Sequence, residues 1–313
     1  MKIKNKLGSL LISGALSCFV SSAVAQDTTT QAAASPAELV KSTFENGVLI
    51  NNQTVDMPSK KSVDAIISHR FGSIVTADKT DPTKQVLDIS NLLGLYSPSN
   101  IRLGVNYGIT DNIMLGVGAT KNKHIYDAQW KYRILQQKTK GMPVSVTYYG
   151  DAALSTLPQE NFINGPDSTY KFTSRLTYFH ELMIGWKFNT HLSLQGGFSY
   201  THINYLDTSK NYQGIDHDSW AFSFVGRYKF SPQSSVLVEF NQPLLVNDNG
   251  AKGKNPKPNL GIGWEVSTGN HQFQIFLCTA DAIVNQEMNV YNTNDFTKKQ
   301  MVIGFNLTRE WGF

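Results

Sequence analysis

The chain closes on MVIGFNLTREWGF, Met301 to Phe313. Every second residue is large and apolar or aromatic, from Met301, Ile303, Phe305 and Leu307 to Trp311 and Phe313, with Arg309 the one interruption. The residues between them, Val302, Gly304, Asn306, Thr308, Glu310 and Gly312, are mostly small or polar. A period of two marks an extended strand with one greasy face and one wet face.

The same alternation recurs backwards to Ser62. NIRLGVNYGI sets Ile101, Leu103, Val105, Tyr107 and Ile109 against Arg102, Gly104, Asn106 and Gly108. HIYDAQWKYRIL opposes Ala128, Trp130, Tyr132 and Ile134 to Asp127, Gln129, Lys131 and Arg133. FTSRLTYFHELMIGWKF carries Leu176, Tyr178, His180, Leu182, Ile184, Trp186 and Phe188 on one side. Counted through the chain, about twelve such runs appear, an even number as in single-chain bacterial outer-membrane barrels.

A soluble sandwich and a membrane barrel both show alternation, so the connections separate them. TDN, NTH, SPQ and STG join strands at one end, with QQKTKGM the longest turn there. At the other end Val75–Ser99, Leu154–Lys171, Leu206–Asp216, Leu244–Lys257 and Ala282–Lys299 are long, and only the link at Asn122-Lys123 is short. Loops sorted by parity fit an up-and-down barrel, with short periplasmic turns and long outer loops; a sandwich has no reason to sort them. Tyr107, Tyr132, Trp186, Phe188, Tyr228, Phe230, Trp264, Trp311 and Phe313 fall near the short-turn ends, where an interfacial aromatic girdle belongs. The predicted fold is an all-β, antiparallel, up-and-down transmembrane barrel of about twelve strands over residues 62–313, bathed in outer-membrane lipid.

The start of the chain, MKIKNKLGSLLISGALSCFVSSAVAQ, has a basic head, an apolar middle and an A-x-A site. It predicts a secretory signal over residues 1–25, cleaved after Ala25, and export to the outer membrane. Losing Lys2, Lys4 and Lys6 takes Lys+Arg from 28 to 25 against 24 Asp+Glu. A near-neutral mature chain argues against a nucleic-acid partner. Cys278 remains as its single cysteine, so no internal disulfide forms. Residues 26–61 are expected as a periplasmic leader or linker; AELVKSTFENGVLINNQTVDMPSKK, 37–61, has no clear period and lies under or inside the main body.

Charge is confined to the non-apolar faces, apart from Arg309 near a strand end, where its side chain can snorkel. The expected lumen-lining groups are Arg70, Arg102, Asn106, Asp127, Lys131, Arg133, Asp151, Arg175, Glu181, Lys187, Arg227, Lys229, Glu239, Glu265 and Glu310, with Asp64 beside them. A charge facing mid-depth lipid costs about 2–4 kcal/mol, whereas one facing the lumen costs little. Arg227 and Glu239 are expected within reach of each other across the SPQ turn. Inward glycines at 104, 108, 116, 118, 261 and 263 leave room. Two outcomes follow: a polar pore that filters small polar solutes, or a barrel plugged by its own ion pairs. The segment Thr83–Pro98, with Val86, Leu87, Leu92, Leu93 and Leu95, is the candidate plug or rim helix.

FENGVLINNQTVDMP, NIRLGVNYGI, PVSVTYYGDAAL, YKFSPQSSVLVEFNQPL, PKPNLGIGWEVSTGNHQFQIF and VIGFNLTREWGF resemble an uncharacterised β-barrel family of Bacteroidota, known as a domain of unknown function. The resemblance runs from about Phe44 to Phe313. It implies an outer-membrane barrel and brings no catalytic residue, substrate or cofactor. The final Phe313 resembles the strand signal read by the outer-membrane insertion machinery, which is therefore an expected partner.

Catalytic and metal readings are weak. Outward His69, His180 and His202 raise a lipid hydrolase, but His202 should pair with Tyr178 and His180 with Tyr200, with no outward serine beside them. In Asp216-His217-Asp218 alternation sends the imidazole away from both carboxylates. G-x-S-x-G, H-E-x-x-H, C-x-x-C and phosphate-loop patterns are absent. No enzyme, cofactor or metal is expected. The leading expectation is a passive channel or transporter for small polar solutes; the alternative is a closed scaffold barrel docking a partner through loops or leader.

Overall fold

A computed structural model describes residues 37–313 apart from 79–80, 82–83, 164–168, 207–215 and 245–255. The expected signal, its cleavage site and residues 26–36 therefore lie outside the described residues. The strands are β1 (Val48–Leu49), β2 (Asn52–Gln53), β3 (Ser62–Ser73), β4 (Val75–Ala77), β5 (Gln85–Leu87), β6 (Asn100–Thr110), β7 (Ile113–Thr120) and β8 (Ile125–Leu135). They continue with β9 (Ser145–Ser155), β10 (Leu176–Lys187), β11 (Leu192–Ile203), β12 (Asp218–Lys229), β13 (Ser234–Leu244), β14 (Asn259–Thr268), β15 (His271–Cys278) and β16 (Val302–Gly312). Among the described residues a single α-helix, α1, covers Asn285–Tyr291.

Twelve of these strands, β3 and β6–β16, form one closed antiparallel barrel. Closure is made by the quoted C-terminal strand. Phe305 of β16 pairs with His69 of β3, and Trp311 with Val63. The sheet thus has no free edge, as a hydrocarbon surround demands, with register shifts at Val302/Gly304, Gly108/Thr110 and Arg133/Leu135.

Burial follows the sequence period. Along β6, Arg102, Gly104, Asn106 and Gly108 are buried while Leu103, Val105, Tyr107 and Ile109 are exposed. Outward Val117 is 62% exposed and Leu115 is 51% exposed. An apolar belt of that extent is untenable in water and is the lipid-facing surface of a spanning barrel. Among the described residues no helix is long and apolar enough to cross a membrane.

The lumen is occupied. Residues 42–57 enter it from the short-turn mouth, fold back at Ile50–Asn51 through the β1–β2 pair, and return to that mouth. One leg is tied below by Val40 N–H donating to Gln137 O (2.8 Å). The other is tied by Lys61 N–H donating to Gly108 O (2.8 Å) and Lys60 N–H to Asp111 Oδ1 (3.1 Å). Phe44, Leu49, Ile50 and Val55 of this hairpin are at most 1% exposed and pack on Tyr149, Phe179, Met183, Val225, Leu237 and Phe276 of the wall. Residues 42–57 are thus part of the barrel body rather than a periplasmic linker.

From the long-loop mouth, α1 descends against β10–β13. Asn285 Nδ2 donates to Asn51 O at the hairpin tip (3.3 Å), so the two insertions meet. The expected helix over Thr83–Pro98 does not form among the described residues. Leu92 (φ 46°) and Leu93 (φ 55°) are left-handed, which no right-handed helix accommodates. The segment makes the β4–β5 pair and turns at the rim, with Leu92, Leu93 and Leu95 exposed. The loop-borne plug is α1, in the loop after β15.

Candidate functional site

The inward wall groups and the hairpin form one hydrogen-bonded body. Lys131 on β8 is 1% exposed, and its Nζ donates to the carbonyl oxygens of Gly47 (2.8 Å), Thr54 (2.9 Å) and Asp56 (2.8 Å). All three ammonium protons are thereby used on hairpin backbone. Across the lumen, Glu239 on β13 accepts from Asn51 N (2.9 Å), Asn51 Nδ2 (2.6 Å) and Asn52 Nδ2 (2.7 Å), and from Asn259 Nδ2 (2.7 Å).

Arg70 on β3 holds the tip. Its Nη2 donates to Ile50 O (3.0 Å) and Asn51 Oδ1 (2.7 Å), and its guanidinium lies 4.4 Å from the Phe276 ring centroid. Ile50 sits at φ 53°, costly for a β-branched residue, and persists because its surroundings fix it. Its N–H donates to Gln274 Oε1 (3.2 Å) and its carbonyl also accepts from Asn306 Nδ2 (2.8 Å). Gln195 brackets the returning leg, accepting from Val55 N and donating to Gln53 O, both at 2.8 Å.

The base of the hairpin is tied by Asp56. Its carboxylate accepts from Ser42 Oγ (2.8 Å) and from the backbone N–H groups of Thr43 (2.9 Å), Phe44 (2.6 Å) and Glu45 (3.1 Å). Glu45 then reaches the wall, accepting from Arg227 Nη2 (2.8 Å) and Lys229 Nζ (2.9 Å). Burial alone would raise the Glu45 carboxyl, but the Lys229 hydrogen bond and the charges of Arg227 and Lys229 outweigh it and hold it below the usual range.

The remaining sequence-predicted residues distribute as follows. Arg102 and Asp127 make a buried ion pair (Nη2 to Oδ2, 2.5 Å). Asn106 accepts from Gln129 Nε2 (2.7 Å). Asp151 accepts from Tyr149 Oη (3.0 Å) and Gln286 Nε2 (2.7 Å), and Glu181 from Ser223 Oγ (2.6 Å). Lys187 Nζ donates to Ser42 O (2.9 Å), and Arg133 Nη1 to Asp111 O (3.0 Å) at a short turn. Glu310 is half-buried and stands opposite Asp64 across the closure seam. Arg175 lies in a short 3-10 turn (Phe172–Arg175) at the long-loop mouth, stacked on Phe162 and donating to Ser155 O (3.0 Å).

Two expectations change. Arg227 and Glu239 are diagonal in register, but their bonds go elsewhere: Arg227 Nε donates to Glu265 Oε1 (2.8 Å), while Glu239 is filled by the hairpin and Asn259. The inward glycines do not leave an open bore. A Cβ at Gly118 or Gly104 would collide with the Arg102 guanidinium, and one at Gly108 with the Pro58–Ser59 backbone. A cavity of about 20 Å³ remains where the hairpin, the wall and the start of α1 meet, and one of about 360 Å³ lies at the long-loop mouth beside Glu287 and Tyr291.

The outward histidines pair as expected, His180 with Tyr200 and His202 with Tyr178. His180 Nδ1 lies 2.6 Å from Tyr148 Oη, and His202 Nδ1 lies 2.7 Å from Asp218 Oδ1. His217 Nδ1 is 2.6 Å from Ile203 O, so Asp216-His217-Asp218 does not converge. Among the described residues no three histidine, cysteine, aspartate or glutamate side chains are placed to hold a metal ion. The amides Gln129, Gln195, Asn241, Asn259, Gln274 and Asn306, all buried, were not among the expected lumen-lining groups; their signal is their place on the inward parity of each strand.

A closed sheet with an apolar outer belt and a polar, filled lumen defines a membrane-spanning β-barrel. The chain belongs to the family described as membrane bound beta barrel domain (DUF5777), whose model matches residues 44–311. Among solved structures the chain is similar to the NanC porin, with 12% identity and a TM-score of 0.47 over 80% of this chain and 100% of that one. It is also similar to the KdgM porin (7% identity, TM-score 0.42, 80% and 99% covered). The CymD monoaromatic hydrocarbon channel is a third (9% identity, TM-score 0.40, 83% and 90% covered). No curated protein matches the chain.

Proposed function

We propose that the protein is an outer-membrane channel for small polar solutes that rests shut, with hairpin 42–57 as its stopper. One observation carries this reading. Both legs of the hairpin leave by the short-turn mouth, and most of its bonds to the wall are polar contacts that water can replace on withdrawal. The short-turn mouth then faces the periplasm, where a partner can reach residues 37–41. Of the wall charges read in the sequence as a solute filter, Arg70, Lys131, Lys187, Arg227, Lys229 and Glu239 bond the stopper while it is seated. No enzymatic step is assigned: His180 and His202 are bonded to tyrosine, aspartate and amide partners, and His69 packs against the rings of Phe71 and Phe305.

The test is single-channel recording in a planar bilayer. Full-length protein is expected to be silent. A variant lacking 42–57, with 283–292 replaced by a short Gly-Ser link, is expected to give conductance steps. Silence of that variant, once its strand content matches the parent, removes the channel reading. It would leave the second one, a closed scaffold docking a partner, which the filling of the lumen from both mouths favours.

A further inference from the structure

We infer that the hollow at the long-loop mouth binds a small organic acid, its carboxylate on Arg175 and its apolar body on the wall. The cavity measures about 360 Å³, at the small end of the range of about 300–1,000 Å³ that ligand pockets span. It lies against the inward faces of β8, β9 and β11, where Ile125, Ala153 and Ile203 line it with hydrocarbon. Phe162 and Tyr205 line it as well, their rings meeting edge-on with centroids 5.6 Å apart. A largely apolar hollow with a few polar groups is the ordinary make-up of a small-molecule site.

Arg175 is the cation with capacity left in that hollow. It closes the 3-10 turn Phe172–Arg175 ahead of β10 and is half-buried. Its Nε donates to Tyr170 Oη (2.5 Å), and its Nη1 donates to Ser155 O (3.0 Å) and to Leu157 O. The guanidinium rests on the rings of Phe162 (4.8 Å) and Tyr170 (5.2 Å). These contacts fix its plane, so little freedom is lost when a ligand arrives. Nη2 carries two further N–H groups. Among the described residues it meets no acceptor, and no carboxylate pairs with this side chain. The buried arginines differ: Arg102 is taken by Asp127, Arg227 by Glu265 and Glu45, and Arg70 has all three nitrogens bonded.

The other charges at the hollow leave its sign positive. Lys123 is taken by Glu287 and by the face of Tyr291 (4.0 Å), so that pair cancels. Glu160 lines the cavity but is exposed, where water and salt screen it. A half-buried guanidinium without a counter-ion favours an anion, and its planar fork suits a carboxylate. The hydrocarbon lining asks for an apolar body on that carboxylate, which a bare inorganic anion lacks. Binding at this mouth is independent of whether the barrel conducts.

The test is isothermal titration of full-length protein, folded in detergent micelles, with hydrocinnamate. Hydrocinnamyl alcohol keeps the body without the charge, acetate keeps the charge without the body, and empty micelles set the blank for partitioning. One saturable equivalent of hydrocinnamate is expected, with the alcohol and acetate at least about tenfold weaker. Arg175→Gln should weaken hydrocinnamate by about tenfold or more and leave the alcohol unchanged. Should that variant fail to fold, Ala153→Leu provides the second measurement, since a larger side chain in the cavity should block the acid with Arg175 still in place. No saturable uptake by the native chain, equal affinity for acid and alcohol, or affinity unchanged by either substitution would overturn the site.

Discussion

Lys131 shows how much one residue carries. Its ammonium is buried without a carboxylate bonded to it and is neutralised in effect by three carbonyl dipoles of the hairpin. Replacing it with methionine keeps the stem but leaves three acceptors bare. Lys131→Met should weaken hairpin docking by about 3 kcal/mol, roughly 100-fold in the opening equilibrium. Hydrogen exchange at amides 43–57 reads this directly. Glu45 gives the pH dependence. Its folded carboxyl titrates below the unfolded one, so its contribution is complete above the ordinary glutamate range and fades as pH falls through the folded value. Protection of 43–57 should hold at neutral pH and fall only as the pH drops below the ordinary glutamate range. In Glu45→Gln this acid step should shrink while overall protection is lower at neutral pH.

At the scale of elements, the hairpin is an internal unit before it is a stopper. Asp56 gathers three backbone N–H groups and the Ser42 hydroxyl, a charge-assisted cluster that sets the turn of the first leg. Asp56→Ala should destabilise the seated hairpin by about 2–4 kcal/mol, and limited proteolysis should then cut within 42–57 while the barrel's circular dichroism stays unchanged. The twelve wall strands were legible because hydrocarbon outside and polar groups inside impose a strict period of two, and one slip would invert every side chain. The hairpin obeys no such period. Phe44, Leu49, Ile50 and Val55 face several strands at once, and Asn46, Asn51 and Asn52 bond side chains distant in sequence. Its polarity looked like linker because its partners lie on β3, β13 and β16. Helix α1 was hidden for the same reason: its buried Asn285, Gln286 and Asn289 read as loop chemistry until the lumen supplies partners. The leucines of 83–98 erred the other way, since apolar spacing suggests a helix without fixing φ.

For the whole molecule, the sheet has an oily side and a wet side, and substitutions should respect that division. Val117→Arg, at an outward mid-strand position of β7, should cost about 2–4 kcal/mol in denaturant unfolding from lipid vesicles. Tyr132→Arg, near the girdle, should cost about 1 kcal/mol or less. The difference vanishes if the outer belt meets water instead. Closure also joins residues far apart, since β16 zips onto β3, so the barrel is complete only when the last strand arrives. Against that late event stands the path of residues 37–61, which dip into the bore and come back out through the opening they entered. Nothing in the ring is threaded by them. They can therefore slide home after the wall is built, or be drawn out like a cork, without parting a single rung between staves.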